Sequence, residues 1–75
     1  MTHDLLANII EDLGAKIEKI VISDLRHHVF YATLHLTLNG RAIEIDARPS
    51  DAIALGAATG APIFVAEHVF EKTSQ

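Results

Sequence analysis

The hydrophobic pattern along the chain changes its period several times, and each change predicts a new element. In residues 1–13 the apolar side chains recur with the spacing of an amphipathic helix. They are Leu5, Leu6, Ile9, Ile10 and Leu13. Thr2 is placed to cap this helix, Asp4 lies in its first turn, and Gly14 suits the left-handed residue that ends it. We expect its apolar face to pack against the core.

The middle of the chain predicts β-structure. Ala15 to Leu25 is rich in branched side chains, and apolar and polar residues alternate strictly from Val29 to Leu38. Asn39-Gly40 is the strongest short signal for a hairpin turn, and Arg41 to Ala47 returns as the partner strand. Because such a turn fixes the register, the cross-strand pairs follow from it. The predicted pairs are Leu36 with Ile43, Leu34 with Ile45, His35 with Glu44, and Thr33 with Asp46.

The apolar stretch after the hairpin predicts a short buried helix from Asp51 to Thr59. Pro49 disfavours helical geometry at the residue before it, and Ser50 is a good N-cap. The helix is apolar or small around nearly its whole circumference, which is typical of a helix buried on several sides. We therefore expect a second chain to cover one side, and the close approach of another backbone to explain Gly56 in mid-helix.

The carboxy-terminal residues predict a short buried strand followed by a last helical segment. Ile63 to Val65 forms the strand, and Ala66 to Lys72 forms the helical turns, with Val69 and Phe70 pointing inward. Together the elements predict an α+β fold. In it, a small mixed sheet of three to four strands, including the hairpin, packs against two to three short helices. Residues 1–75 form a single predicted domain.

The composition of the chain limits how the domain can be stabilised and which functions it can have. A chain of 75 residues has a small core, and such domains usually rely on a disulfide, a metal or a partner subunit. The absence of cysteine excludes disulfides and thiolate zinc sites, which leaves a metal bound by histidine or carboxylate, or self-association. Of these two we expect self-association into a homo-oligomer. A net charge of −4 argues against a chain that coats nucleic acid, but it is compatible with an acidic metal site.

No signal-peptide pattern and no membrane-spanning apolar run are present, so the expected location is the cytoplasm.

A polar cluster precedes the second predicted helix. Asp46 ends a strand, while Arg48 and Asp51 flank the helix start. Two carboxylates in this position suit a hard cation such as Mg²⁺, and the planar fork of Arg48 suits a phosphate. A divalent ion beside a phosphodiester would activate a water molecule. The alternative is a structural role for these residues. Asp51 would stabilise the N-terminus of the helix, and Arg48 would form a bidentate ion pair with Asp46. The spacing alone favours this alternative.

The five histidines do not show the i, i+4 helical pairing of a strong zinc motif. His27 and His28 are predicted in an exposed turn, and His35 in a cross-strand pair. His3 is predicted in solvent near the start of the first helix. His68 follows a strand expected to lie beside the second helix, so it is the histidine predicted closest to a site. The sequence also lacks a serine elbow, a glycine-rich phosphate loop and an aromatic stacking platform.

The segment from Ile45 to Leu55, with its core motif R-P-S-D-A-I-A-L, closely resembles the bifunctional nuclease domain family. Gly60 to Val65 and Glu67 continue the resemblance, which extends over almost the whole chain. The resemblance implies a mixed α/β fold, assembly into oligomers, and cleavage of DNA or RNA. The family domain is about twice as long, so this chain resembles its carboxy-terminal part.

The resemblance also implies roles for individual residues. Asp46 and Asp51 would bind the metal, Mg²⁺ or Mn²⁺. Arg48 would hold the phosphate, and Glu67 would be a further ligand or a base. This predicts a divalent-metal-dependent nuclease or phosphodiesterase that acts as an oligomer on DNA or RNA. Two alternatives are a non-catalytic, oligomerising binding or regulatory module, and a truncated family member that lacks activity and folds only with a partner segment.

Overall fold

The computed structural model describes residues 2–73, which contain three helices and four strands. In chain order the elements are α1 (Thr2–Asp12), β1 (Ala15–Arg26), β2 (Val29–Leu38), β3 (Arg41–Ala47), α2 (Pro49–Thr59), β4 (Ile63–Val65) and α3 (Glu67–Thr73). The predicted α+β class is confirmed. Every predicted helix and strand is present, and the differences concern where elements begin and which side chains they bury.

The strands form one mixed sheet in the order β3-β2-β1-β4. β1 pairs antiparallel with β2, and β2 pairs antiparallel with β3, whereas β4 pairs parallel with β1. A strand that returns parallel to an earlier one needs a crossover connection. α2 is this connection, since it carries the chain from edge strand β3 to edge strand β4.

The hairpin of β2 and β3 has the predicted register. Asn39 and Gly40 have φ values of 53° and 79°, as the two central residues of a type I′ turn require. Each of the four predicted pairs occurs, including His35 with Glu44 and Thr33 with Asp46. The turn and the alternation pattern therefore determine the register together.

The hydrophobic core lies between one face of the sheet and the helices. Its buried members are Ile17, Ile20, Ile22, Ala32, Leu34, Leu36, Ala52, Leu55 and Val69. Successive residues of a strand point to opposite faces, so Thr33, His35 and Thr37 lie on the other face of the sheet. That second face, here called the open face, is mainly polar along β2.

The N-terminus of α2 differs from the prediction. The helix begins at Pro49, and Arg48 is the N-cap in an extended conformation, with φ −70° and ψ 142°. The predicted cap, Ser50, is therefore wrong, because it lies inside the first turn. Proline is favoured at the first helical position, where its missing N–H would have no partner in the helix. This start places Asp51 in the first turn, three residues after Arg48, where the helix dipole favours a carboxylate.

Several residues predicted to be buried are exposed. α1 packs mainly against α2 and has no buried residue; Leu5 within it is 62% exposed, and Leu13 just after it is 72% exposed. β4 is present but is an edge strand whose three side chains are all exposed. In α3, Val69 is buried as predicted, whereas Phe70 is 60% exposed.

The glycine in mid-helix is explained within the chain. A Cβ at Gly56 would lie 2.9 Å from Ile20 Cδ1 and 3.2 Å from Ile63 Cδ1. The side chains of β1 and β4 thus occupy the space next to this helix position. The prediction that another backbone approaches Gly56 is wrong, and a second chain is not needed to explain this residue.

The helices are short, and α1 and α2 have 11 residues each. Within residues 2–73, no helix combines the length and the apolar character needed to cross a membrane.

Candidate functional site

The start of α2 holds a cluster of three polar side chains, Arg48, Asp51 and His3. Arg48 Nε and Nη2 each lie 2.8 Å from Asp51 Oδ2. His3 Nε2, from the first turn of α1, lies 3.1 Å from Asp51 Oδ1. The packing of α1 beside α2 brings together residues that are 48 positions apart in the sequence. Asp51 therefore links a guanidinium to an imidazole.

Asp51 is held in its charged form. The hydrogen bond with His3, and then the one with Arg48, lowers the pKa of Asp51 below its ordinary value of 3.8, and partial burial opposes this effect. The side chains of His3 and Asp51 are 32% and 36% exposed, whereas Arg48 is 80% exposed. Asp51 is thus a charged acceptor that orients two donors, and the guanidinium of Arg48 is accessible to a ligand.

Asp46 and Glu67 are not part of this cluster. Asp46 pairs with Thr33, so its side chain lies on the open face of the sheet, away from the helices. Glu67 is the exposed first residue of α3. Within residues 2–73, no hydrogen bond or ion pair joins either carboxylate to Arg48 or Asp51. The ion-pair partner of Arg48 is Asp51, so the predicted structural pair with Asp46 is wrong.

The cluster does not form a metal site by itself. Among the described residues, no three side chains of His, Cys, Asp or Glu are grouped so that they could hold an ion. Both oxygens of Asp51 already accept contacts, one from His3 and the other from Arg48, so a cation at this carboxylate would share its oxygens with these side chains. The side chains of residues 2–73 therefore do not fit a Mg²⁺ or Mn²⁺ ion that is held by protein ligands alone.

A second polar cluster surrounds Asp24 near the end of β1. Arg26 Nε donates to Oδ2 at 2.5 Å, while the amide of Leu25 and Nζ of Lys72 donate to Oδ1 at 2.8 Å and 3.1 Å. His68 Nε2 lies 3.4 Å from the same Oδ1. These contacts, above all the one with Arg26, hold the pKa of Asp24 far below 3.8. His68, predicted to lie nearest a site, thus belongs to a cluster on β1 and α3.

His3 and Asp24 are among the residues of these clusters that the sequence analysis does not predict as site residues. The sequence nevertheless contains a signal for each of them. His3 and Asp51 both lie in the first turn of a helix, and two helices that pack side by side can bring such turns together. Asp24 and Arg26 are two positions apart on one strand, which places both side chains on the same face.

Comparisons with known proteins give the family of the chain and two of its relatives. The family model described as the bifunctional nuclease domain matches residues 1–75. Two uncharacterized proteins of Mycobacterium tuberculosis, MT1877 of strain CDC 1551 and Rv1829 of strain H37Rv, are each 41% identical to the chain over 69 residues. The match covers 92% of this chain and 40% of each relative, so the chain spans less than half the length of these proteins.

Proposed function

Because the chain belongs to the bifunctional nuclease domain family, we propose that it cleaves phosphodiester bonds of DNA or RNA at the cluster of Arg48, Asp51 and His3. The observation that supports this proposal is the pair of contacts at Asp51. They place an anion-binding guanidinium and a proton-exchanging imidazole on one carboxylate. Phosphate binding and proton transfer are two functions that side chains can supply in the hydrolysis of a phosphodiester.

Arg48 binds the phosphate in this proposal. Its Nε and Nη2 contact Asp51, which leaves Nη1 for a phosphate oxygen. The contact with Asp51 also restrains the otherwise exposed side chain, so the guanidinium is already oriented when the substrate arrives. A planar guanidinium stabilises the negative charge that develops on the phosphate oxygens during the reaction.

His3 exchanges the proton, and Asp51 orients His3. A neutral imidazole that donates from Nε2 to Asp51 keeps Nδ1 as an acceptor. In the proposed step, Nδ1 takes a proton from a water molecule while the water oxygen forms a bond to phosphorus. The bond from phosphorus to the leaving oxygen breaks, and the leaving oxygen receives a proton from the imidazolium. His3 returns to its neutral form, and water is the only co-reactant.

A cleavage assay tests the proposal. The 75-residue chain is incubated with labelled single-stranded RNA and with plasmid DNA, and the variants Arg48→Gln, Asp51→Asn and His3→Gln are compared with it. Loss of a proton carrier or of a charge-stabilising donor typically lowers rates by roughly 100-fold or more. His35→Gln is the matched control, because His35 also faces a carboxylate, Glu44, at 4.0 Å but lies on the open face. Unchanged cleavage by the three cluster variants would exclude the proposal.

Metal dependence is tested in the same assay. The expected dependence on Mg²⁺ or Mn²⁺ stays a prediction, as do metal binding by Asp46 and Asp51 and a ligand or base role for Glu67. Cleavage that EDTA abolishes and added Mn²⁺ restores would support a metal, and Asp46→Ala and Glu67→Ala would then be expected to lose activity. Cleavage that persists in EDTA would favour the metal-free step through His3.

A further inference from the structure

α1 has fewer buried residues than the other two helices. α2 buries three of its residues and α3 buries Val69, whereas no residue of α1 is buried. The α1 side chains that pack against the core are Ala7 and Ile10, and both are only partly buried. A segment with few buried apolar contacts is where a protein opens locally at a low cost in free energy.

A cleft of about 450 Å³ lies between α1, the start of β1 and the end of α2. Its walls include Ala7 and Ile10 of α1, Ile17 of β1 and Ala58 of α2. The two residues of α1 that pack against the core thus also line this cleft, so even the inward side of α1 is incompletely packed. α1 has 11 residues, and an isolated helix of this length is marginal in water. Its stability therefore depends on these few contacts.

The contact of His3 with Asp51 is the polar link between α1 and α2. Within residues 2–73, no other side-chain hydrogen bond or ion pair joins α1 to another element. The contact of Arg48 with Asp51 does not depend on α1, because these two residues are three positions apart at the start of α2. Movement of α1 away from α2 would therefore remove His3 from the cluster and leave the ion pair of Arg48 and Asp51 in place.

The connection between α1 and β1 is suited to act as a hinge. α1 ends at Asp12 and β1 begins at Ala15, so only Leu13 and Gly14 join the two elements. Leu13 is 72% exposed, and a Cβ built at Gly14 would have no neighbour within 4 Å beyond the adjacent residues. Glycine adopts a wide range of φ and ψ values. The direction of the chain can therefore change here without displacing packed side chains.

We propose that α1 undocks as a unit while the sheet, α2 and α3 stay folded, and that the cluster of Arg48, Asp51 and His3 is complete only while α1 is docked. The consequence for catalysis rests on the proposed function, in which His3 carries the proton. The undocked state keeps the phosphate-binding Arg48 but lacks the proton carrier. α1 is thus a switch built into the fold, and the fraction of chains with α1 docked limits the rate of cleavage.

Hydrogen exchange of the backbone amides in the 75-residue chain tests whether α1 opens by itself. We expect the protection factors of the helical amides of α1 to be at least about tenfold lower than those of β1. Ile10→Ala removes one of the two core contacts of α1 and should lower its protection factors by a further factor of roughly ten. Alanine is the better helix former, so helix propensity would act in the opposite direction.

Ile43→Ala is the matched control for Ile10→Ala. Ile43 is also a partly buried isoleucine that packs against the core, but it lies on β3. Its truncation should leave the protection factors of α1 unchanged, because local opening of α1 does not involve the sheet. Protection of α1 equal to that of β1, or equal effects of the two variants on α1, would overturn the proposal.

A second arm tests whether docking of α1 is coupled to the contact of His3 with Asp51. His3→Ala removes this hydrogen bond, so it should lower the protection factors of α1 by roughly 2- to 10-fold and leave those of β1 unchanged. His35→Ala is the control, because His35 also faces a carboxylate, that of Glu44 at 4.0 Å, but lies on the open face. No change in His3→Ala, or the same change of α1 in both variants, would contradict the coupling.

Hydrogen exchange does not require cleavage, so the two proposals can fail independently. If α1 opens by itself and responds to His3→Ala but the chain cleaves nothing, the cleavage proposal fails and the undocking of α1 stands. If the chain cleaves RNA or DNA while α1 is as protected as β1, the undocking fails alone. Where both hold, Ile10→Ala should lower kcat/KM for single-stranded RNA more than Ile43→Ala does. Equal values in these two variants would contradict a requirement for docked α1.

Discussion

Asp24 and Asp51 show how the neighbours of a carboxylate determine its charge. Arg26, the amide of Leu25 and Lys72 lower the pKa of Asp24, and His3 and Arg48 lower that of Asp51. In both cases hydrogen bonds to the charged form outweigh the effect of burial. Neither residue is suited to donate a proton near neutral pH, which is why His3 has that role in the proposed reaction.

The lowered pKa of Asp24 predicts how stability depends on pH. A carboxyl with a lower pKa in the folded than in the unfolded protein stabilises the fold fully above the unfolded value, near 3.8. This contribution is lost as the pH falls below that value. We expect Asp24→Asn to have a lower Tm than the wild type at pH 7, and we expect the difference to shrink below about pH 4.

Thermal melts between neutral and acidic pH measure this effect. Asp12→Asn, on an exposed position of α1, is the control, and its Tm should stay close to that of the wild type throughout. A Tm difference for Asp24→Asn that persists undiminished in acid would contradict the assignment of the stabilising contacts to the charged carboxylate.

At the level of single residues, the sequence predicted local features well and distant contacts poorly. The position of Asp51 in the first turn of α2 follows from the residues around it. Its contact with His3 does not, because 48 residues separate the two, and only the packing of α1 on α2 brings them together. The partner of Arg48 was mispredicted for a local reason. The helix starts at Pro49, which places Asp51 rather than Asp46 within reach.

The two hairpins show how the residues of a turn affect the stability of the strands that the turn joins. β2 and β3 are joined by Asn39-Gly40, whereas β1 and β2 are joined by His27-His28. All four turn residues have positive φ, and those of His27 and His28 are 51° and 66°. A left-handed conformation costs most side chains roughly 1–2 kcal/mol, although histidine is found there more often than other bulky residues. The turn of β1 and β2 is therefore the strained one.

Exchange of the turn sequences tests this difference. Replacing His27-His28 by Asn-Gly should increase the free energy of unfolding by about 1 kcal/mol or more, because glycine adopts positive φ without a steric penalty. The reverse exchange, His-His in place of Asn39-Gly40, should lower it by a similar amount. Urea titrations of both variants measure the free energy of unfolding. A decrease with Asn-Gly at positions 27 and 28, together with an increase with His-His at positions 39 and 40, would show that the histidines stabilise their turn.

The register of the second hairpin was predictable because a two-residue turn and strict alternation leave little freedom. The burial of the helices was less predictable. The apolar spacing of α1 indicates an amphipathic helix, but the sequence does not give the width of the surface that is available to cover it. In the structure α1 lies against α2, so its leucines are left exposed. β4 is exposed for a related reason, since it is an edge strand.

At the scale of the molecule, the exposed apolar surface supports self-association. Leu5, Leu6 and Ile9 of α1 and Leu13 just after it are 42–72% exposed. A contiguous exposed apolar patch is typical of an interaction surface. We propose, as for the homo-oligomer expected from the sequence, that a second copy covers this face.

Light scattering after size-exclusion chromatography tests self-association. We expect the wild-type chain to have a mass above that of one chain at micromolar concentration. Ile9→Lys should weaken the association at least about tenfold, because burial of an unpaired charge is costly. Asn8→Lys adds the same charge at an exposed neighbouring position and should have little effect if the apolar face is the interface. A wild-type chain that is monomeric at all concentrations would rule out the interface.

A double-variant cycle at Arg48 and Asp51 shows whether these two residues act together in the proposed cleavage reaction. It compares kcat/KM for cleavage of single-stranded RNA by the wild type, Arg48→Gln, Asp51→Asn and the double variant. Residues that act as a unit lose activity non-additively. Because Arg48 and Asp51 act together in the proposed reaction, we expect the double variant to be about as slow as the slower single variant. Single variants that cleave at the wild-type rate, or losses that multiply in the double variant, would contradict it.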